Sequence, residues 1–273
     1  MSDPIEHFRL AIAAAGLEAP DAIIDDGVIH RFSTNGKPTQ KSGWYMLHTD
    51  GIAAGAFGDW REGFTQNWCS KTDMAMTDAE RLANSERLKI MQRQRENDLA
   101  RRQQLAAANA LNRWTTATPC TEHDYLTRKG IKPHAAKIEG DKLLIPMRDT
   151  AGTVRSLQTI APDGTKMFIS GGRVKGCYFG IGKPKGALIV CEGFATGASI
   201  HECTGHAVAV AFNAANLEAV AVALRTKYRT IKIIIAADDD HQTPGNPGMT
   251  KATAAVQAAG AAIAIPVFKA ATA

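Results

Sequence analysis

Two acidic points in the C-terminal third could carry chemistry together. Glu192 directly follows the apolar run ALIVC and precedes a glycine. Asp238, Asp239 and Asp240 directly follow the apolar run IKIIIAA. Taken singly, each has an ordinary explanation: a glutamate after a strand is a turn or N-cap residue, and acids before Pro and Gly make a solvated loop. The combination says more. Two carboxylates about 4 Å apart repel by about 4 kcal/mol at an effective dielectric near 20. A cluster of them either takes up protons or recruits a cation. Mg²⁺ prefers oxygen ligands and keeps several waters, so a partly open carboxylate cluster suits it. Such a site beside basic residues points to chemistry on phosphates, where metal charge offsets the charge of the transferring group.

The acids matter only if the chain brings them to one place. From about residue 186 the pattern alternates strand and helix. ALIVCE, HAVAVAF, IKIIIAADDD and AAIAIPVF read as strands. GFATGASIHECTG, ANLEAVAVALRTKY and PGMTKATAAVQAAG read as helices, with Gly205 and Gly260 closing the first and third. Leu217, Val220, Ala221 and Leu224 fall on one face of the second. This order predicts a parallel sheet covered by helices, and such sheets gather functional groups at the carboxyl ends of their strands.

Three further segments precede it. Residues 1–70 hold Trp44, Trp60 and Trp68, three of the four tryptophans. After a first helix at about 3–16, the runs VIHRF, GWYMLH and AAGAF between turn residues predict a small antiparallel sheet. The three indoles either form that domain's core or stack single-stranded bases. Residues 71–118 form a helical linker. Its stretch 73–114 lacks Gly and Pro, and Arg87, Lys89, Arg93, Arg95, Arg101 and Arg102 make it locally basic. It is either a solvated helix or a rail for a nucleic-acid backbone. Residues 119–185 begin with TEHDYLTRKGI, a short helix with Thr121 as expected N-cap and Gly130 after its end. KLLIPMRD, TVRSLQTI and KMFIS then predict a meander. The SGGRVKG loop after it, with Arg173 and Lys175, suits close approach of phosphate.

With these residues in view, a family emerges. EGFATGA at 192–198, IIIAADDD at 233–240 and NPGMTKA at 246–252 resemble the Toprim domain, and more narrowly that of primases carried by conjugative plasmids and phages. Upstream, DYLTRKGI, KLLIPMRDTAGTVRSLQTI and DGTKMFISGGRVKGCYFG are similar to the segment that precedes Toprim in bacterial-type primases. The resemblance covers about 120–268. It implies an α/β Toprim domain over 186–273, a parallel sheet flanked by helices. A mixed α+β subdomain, the helical linker and the small β-rich domain precede it.

The resemblance also implies an activity: a DNA primase making short RNA primers from NTPs on a single-stranded DNA template, with Mg²⁺ or Mn²⁺. Glu192 would assist proton transfer or help hold the metal. Asp238 and Asp240 would be metal ligands, with Asp239 the variable middle position. Lys251, in the helix that follows, would touch the triphosphate, aided by the helix N-terminus. Arg148, Lys166, Arg173 and Lys175 would line the groove for template or nucleotide, and Arg155 is a weaker candidate. Two departures stand out. The zinc-binding module of replicative bacterial primases has no counterpart ligand set, so no zinc is expected and residues 1–70 could take its place. The helicase often fused to plasmid and phage primases is not seen, so a separate replicative helicase is the expected partner.

Composition narrows the alternatives. The chain has 273 residues, 45% hydrophobic and 22% charged, with a net charge of +5. This fits a folded, mildly basic protein and excludes global disorder. Five cysteines without C-x-x-C spacing argue against a disulfide framework and fit a reducing cytoplasm. The first residues do not read as a signal peptide, and no run of about 18 apolar residues occurs, so no membrane partner is expected. No G-x-x-x-x-G-K-[ST] motif occurs, which argues against an ATP-driven motor. Cys191 reads as a structural thiol and His241 as a loop residue. The competing functions are a Toprim-type metal-dependent nuclease and a catalytically silent single-strand binder that recruits a helicase.

Overall fold

The computed structural model describes residues 3–36, 41–71, 76–238, 243 and 246–266. The chain divides into two compact units, Met1–Arg95 and Glu96–Ala273.

In the first unit, helix α1 (Pro4–Ala14) starts where the Asp3 carboxylate accepts the Ile5 amide and Pro4 fits the first turn. One turn apart, Phe8 and Ile12 are buried against an antiparallel sheet. Its strands β1 (His30–Phe32), β2 (Gly43–His48), β3 (Ala54–Asp59) and β4 (Phe64–Cys69) lie in sequence order. Phe32, Tyr45, Leu47 and Phe57 complete the core. Helix α2 (Asp78–Thr116) begins at a capping box: Thr77 Oγ1 accepts the Glu80 amide, and Glu80 accepts the Thr77 amide. Without an interior glycine or proline to break it, it runs 39 residues.

The second unit holds two five-stranded sheets. The first is antiparallel and orders its strands as they occur: β5 (Thr118–Pro119), β6 (Lys137–Glu139), β7 (Lys142–Arg148), β8 (Val154–Ile160) and β9 (Lys166–Phe168). Between β5 and β6 lies helix α3 (Asp124–Lys129). Gly130 closes it in the left-handed conformation, as expected, but the N-cap is His123 and not Thr121. His123 Nδ1 accepts the Tyr125 amide while its Nε2 pairs with the Asp141 carbonyl, so a long-range bond selects the capping residue.

The second sheet is built from β10 (Phe179–Ile181), β11 (Ala187–Cys191), β12 (Ala207–Val210), β13 (Lys232–Ala236) and β14 (Ala262–Ala264). Their order is β10-β12-β11-β13-β14. All pairs are parallel except β10 with β12, an antiparallel edge that the pattern of apolar runs did not anticipate. Helices α4 (Phe194–Thr204), α5 (Leu217–Lys227) and α6 (Pro247–Ala259) make the crossovers.

The strand period of two sorts side chains between two cores. Ile189, Cys191, Val208 and Val210 point into a core shared with Phe194 and Ala198 of α4 and with Leu143, Ile145 and Met147 of β7. Leu188, Val190, Ala207, Ala209, Ile233 and Ile235 point to the other face, under Leu217, Val220, Ala221 and Leu224 of α5 and Ala252, Ala255 and Ala259 of α6. One core thus spans both sheets, and mutual hydrogen bonds between Arg148 and Tyr178 join their margins. On the far side of the antiparallel sheet, Ala110 and Trp114 of α2 cover Leu144, Val154 and Leu157. Among the described residues no helix is long and apolar enough to cross a membrane.

Candidate active site

Strand β11 pairs with β13 in parallel register, Val190 opposite Ile235. Glu192 lies two residues beyond Val190 and Asp238 three beyond Ile235, so both stand at the carboxyl ends of neighbouring strands. Both side chains are half-buried. Both charges reach Cys191, the last residue of β11. Burial pushes that thiol up, and the charges of Asp238 and Glu192 push it further the same way. Cys191 is therefore held protonated and inert.

Three backbone features hold this edge. Gly193 caps α4, so the helix starts two residues after Glu192. Gly197 lets α4 lie close on the sheet. A β-carbon there would fall 2.7 Å from Val210 Cγ2 and 3.0 Å from Cys191 Sγ. After β12, the Ala211 amide donates to Cys191 O and the Phe212 amide to Glu192 O, at 2.8 and 2.7 Å. Phe212 adopts φ 74°, the left-handed region that bulky residues rarely enter.

The basic segment reaches the same edge. The ring of Phe168, at the end of β9, meets Phe212 edge-on at 6.3 Å. Further along, Asn216 is only 3% exposed and ties the loop down. Its Oδ1 accepts the Gly176 amide at 2.8 Å, and its Nδ2 donates to Cys177 O at 3.0 Å and Ala211 O at 2.8 Å. The RVKG loop and the end of β12 are thereby stapled together. Sequence reading missed Asn216, because nothing local marks an asparagine two of whose three partners lie about forty residues upstream. Gly197 did leave a signal: an isolated glycine inside a helical pattern commonly has a packing reason.

The candidate bases differ in setting. Lys166, Lys175 and Lys251 are exposed, and Lys251 lies near the start of α6. Lys166 Nζ sits 6.0 Å from the Tyr125 ring. Arg173 is half-buried, close enough to Cys177 to counter the upward push of burial on that thiol. Arg148 donates to Gly152 O at 2.9 Å and lies 5.7 Å from the Trp114 ring centre. Arg155 bonds Asp149 at 2.7 Å. Burial alone would raise the Asp149 carboxyl, but Arg155 and the amides of Thr153 and Ala151 outweigh it and hold the group below the usual carboxylate range. Asp240, with Asp239 and His241, lies outside the described residues. Among the described residues no group of three potential ligands is assembled.

The indoles of the first unit separate cleanly. Trp44 is buried, and Trp68 packs edge-on against Phe8 at 5.3 Å. Trp60 stays 57% exposed.

The family model described as "Toprim domain" matches residues 187–271. This segment is a Toprim domain. Its match opens at β11, the strand that Glu192 directly follows. Over nearly the whole chain, a DNA primase TraC of Escherichia coli is 38% identical across 285 aligned positions, which are 97% of this chain and 26% of that protein. A second Escherichia coli protein of the same name is 36% identical, over 97% of this chain and 20% of its own length. The chain thus spans about a quarter or less of these relatives, and the similarity extends through the segments before the Toprim domain. Among solved structures, the DnaG primase catalytic domain bound to ssDNA aligns with a TM-score of 0.43 and 12% identity, over 61% of this chain and 71% of that one. The primase fragment of the bacteriophage T7 primase-helicase aligns with a TM-score of 0.41 and 15% identity, over 56% and 71%.

Proposed function

We propose that this chain is a DNA primase that copies single-stranded DNA into a short RNA from nucleoside triphosphates. The observation that carries the reading is the placement of Glu192 and Asp238 at the ends of adjacent parallel strands in a Toprim domain. The relatives named DNA primase support it.

The donor set fits a hard divalent ion. Glu192 and Asp238 offer only carboxylate oxygens, half open to water, and Asp240 would add a third group. Mg²⁺ or Mn²⁺ held there would supply positive charge against the phosphates of the incoming nucleotide. The chain's own residues do the rest. A Glu192 carboxylate oxygen takes the proton of the attacking 3′ hydroxyl as its oxygen bonds to the α-phosphorus and pyrophosphate leaves. Lys166, Arg173 and Lys175, with Arg148, hold template and triphosphate oxygens by charge-assisted hydrogen bonds, and Lys251 does so from the first turns of α6. Asn216 positions the loop that bears two of these bases.

The test is synthesis from labelled NTPs on a defined single strand, with and without Mg²⁺. Wild type should lengthen labelled products only with the ion. Glu192→Gln and Asp238→Asn should each abolish synthesis while leaving strand binding largely intact. Equal loss of synthesis and binding would make these residues structural. Shortened strands would favour a nuclease, and strand binding without incorporation at any Mg²⁺ or Mn²⁺ concentration would favour a silent binder.

A further inference from the structure

The first unit keeps a large aromatic ring in water on a rigid mount. Trp60 follows β3 in the turn Asp59–Gly63. Burying an indole commonly gains free energy, yet more than half of this one is exposed. Its support is built into the sheet. Trp44, itself buried, lies against it with ring centres 5.4 Å apart and planes tilted 34°. The turn is fixed by Asp59, a buried carboxylate. One oxygen accepts Thr34 Oγ1 at 2.7 Å and Ser42 Oγ at 2.8 Å; the other accepts the Arg61 amide at 2.7 Å. Burial works to raise the Asp59 carboxyl, but these bonds prevail and lower it, so the turn is anchored by an anion.

One cation faces the ring. The Arg31 guanidinium lies 5.9 Å from the Trp60 ring centre and is held by two hydrogen bonds to Lys41 O. Arg61 and Glu62, which follow Trp60 in the turn, are exposed, as is Lys41. A preorganised aromatic face with a guanidinium against it is complementary to one flat, apolar group that carries an anion beside it. An unstacked base between two phosphates of a single strand has that form. Base-paired DNA does not, because its ring faces are already stacked.

We infer that Trp60 is a base-stacking platform for single-stranded DNA, with Trp44 as its buttress and Arg31 and Arg61 as phosphate contacts. The choice of a DNA strand as occupant rests on the primase reading, whereas the geometry is independent of the carboxylate edge. Of the three indoles considered from sequence, this assigns the contact to Trp60 and gives Trp44 and Trp68 to the fold.

The experiment measures binding of the full chain, without nucleotide, to a labelled oligothymidylate and to an abasic strand of the same length. Losing one stacked base corresponds to roughly a 5- to 150-fold weaker affinity. Trp60→Ala should show that loss for oligothymidylate and none for the abasic strand, while Trp60→Phe should retain most of the affinity. Arg31→Gln should lower the slope of log K against log salt by about 0.7 on either strand. Wild-type affinity in Trp60→Ala, or an equal loss on both strands, would overturn the proposal. Because Glu192→Gln is expected to bind the strand normally, failure here leaves the synthesis assay free to stand or fall separately.

Discussion

Asn216→Ala tests whether one buried side chain holds the basic loop against the acidic edge. The substitution removes three hydrogen bonds and strands one amide and two carbonyls: Gly176 N–H, Cys177 O and Ala211 O. A buried polar group left without a partner costs about 1–3 kcal/mol. Asn216 is 3% exposed, so water does not replace the bonds without local opening. Some of the three groups will find substitutes as the loop relaxes, which puts the net loss at about 2–5 kcal/mol. That is a large share of the stability of an ordinary domain. Urea unfolding should therefore show a lower midpoint, and the missing bond has a local signature. The Gly176 amide should exchange with solvent much faster than in wild type, while the amides of β11 should lose protection only as far as global stability falls. Asn216→Asp supplies the isosteric comparison: it keeps an acceptor for Gly176 N–H but loses both donated bonds and buries a charge. If Gly176 exchanges in Asn216→Ala no faster than the global change requires, the staple carries no load and the reasoning fails.

Other outcomes follow from the same packing. Gly197→Ala sets two effects in opposition: helix propensity favours alanine by about 1 kcal/mol, while overpacking against Val210 and Cys191 costs about 1–3 kcal/mol. The thermal midpoint should fall, whereas Ser199→Ala, exposed on the same helix, should not lower it; a rise for Gly197→Ala would mean α4 is not tightly seated. Asp149, with its folded pKa depressed, contributes stability that is present above the unfolded value near 3.9 and lost as pH falls through the lower folded one. The stability gap between wild type and Asp149→Asn should therefore close as urea titrations move below about pH 4, and a gap independent of pH would refute it. Thiol titration of the native chain should label exposed Cys203 first and reach buried Cys177 and Cys191 only on unfolding; early modification of Cys191 would contradict its burial.

Much of the architecture was legible in local pattern. The alternation of apolar runs with helical periods marked the strands and helices from β11 to β14, because each of those elements buries a face whose spacing it must declare. Gly130, Gly205 and Gly260 marked helix ends because the left-handed conformation there excludes most other residues. The acids at 192 and 238 could be placed at strand ends for the same reason, since they interrupt the apolar runs. What the chain alone left open was decided by partners distant in sequence. Two indoles of equal chemistry, Trp44 and Trp60, part company only when a sheet forms over one of them. His123 displaces Thr121 as a helix cap because the Asp141 carbonyl orients its ring. Strand order did most: only with β11 hydrogen-bonded between β12 and β13 do Glu192, the turn at Phe212 and Asp238 share one edge. Side-chain pattern records which face of a strand is buried, but the neighbour is chosen by backbone hydrogen bonds and shared cores, and those exist only once the chain has folded.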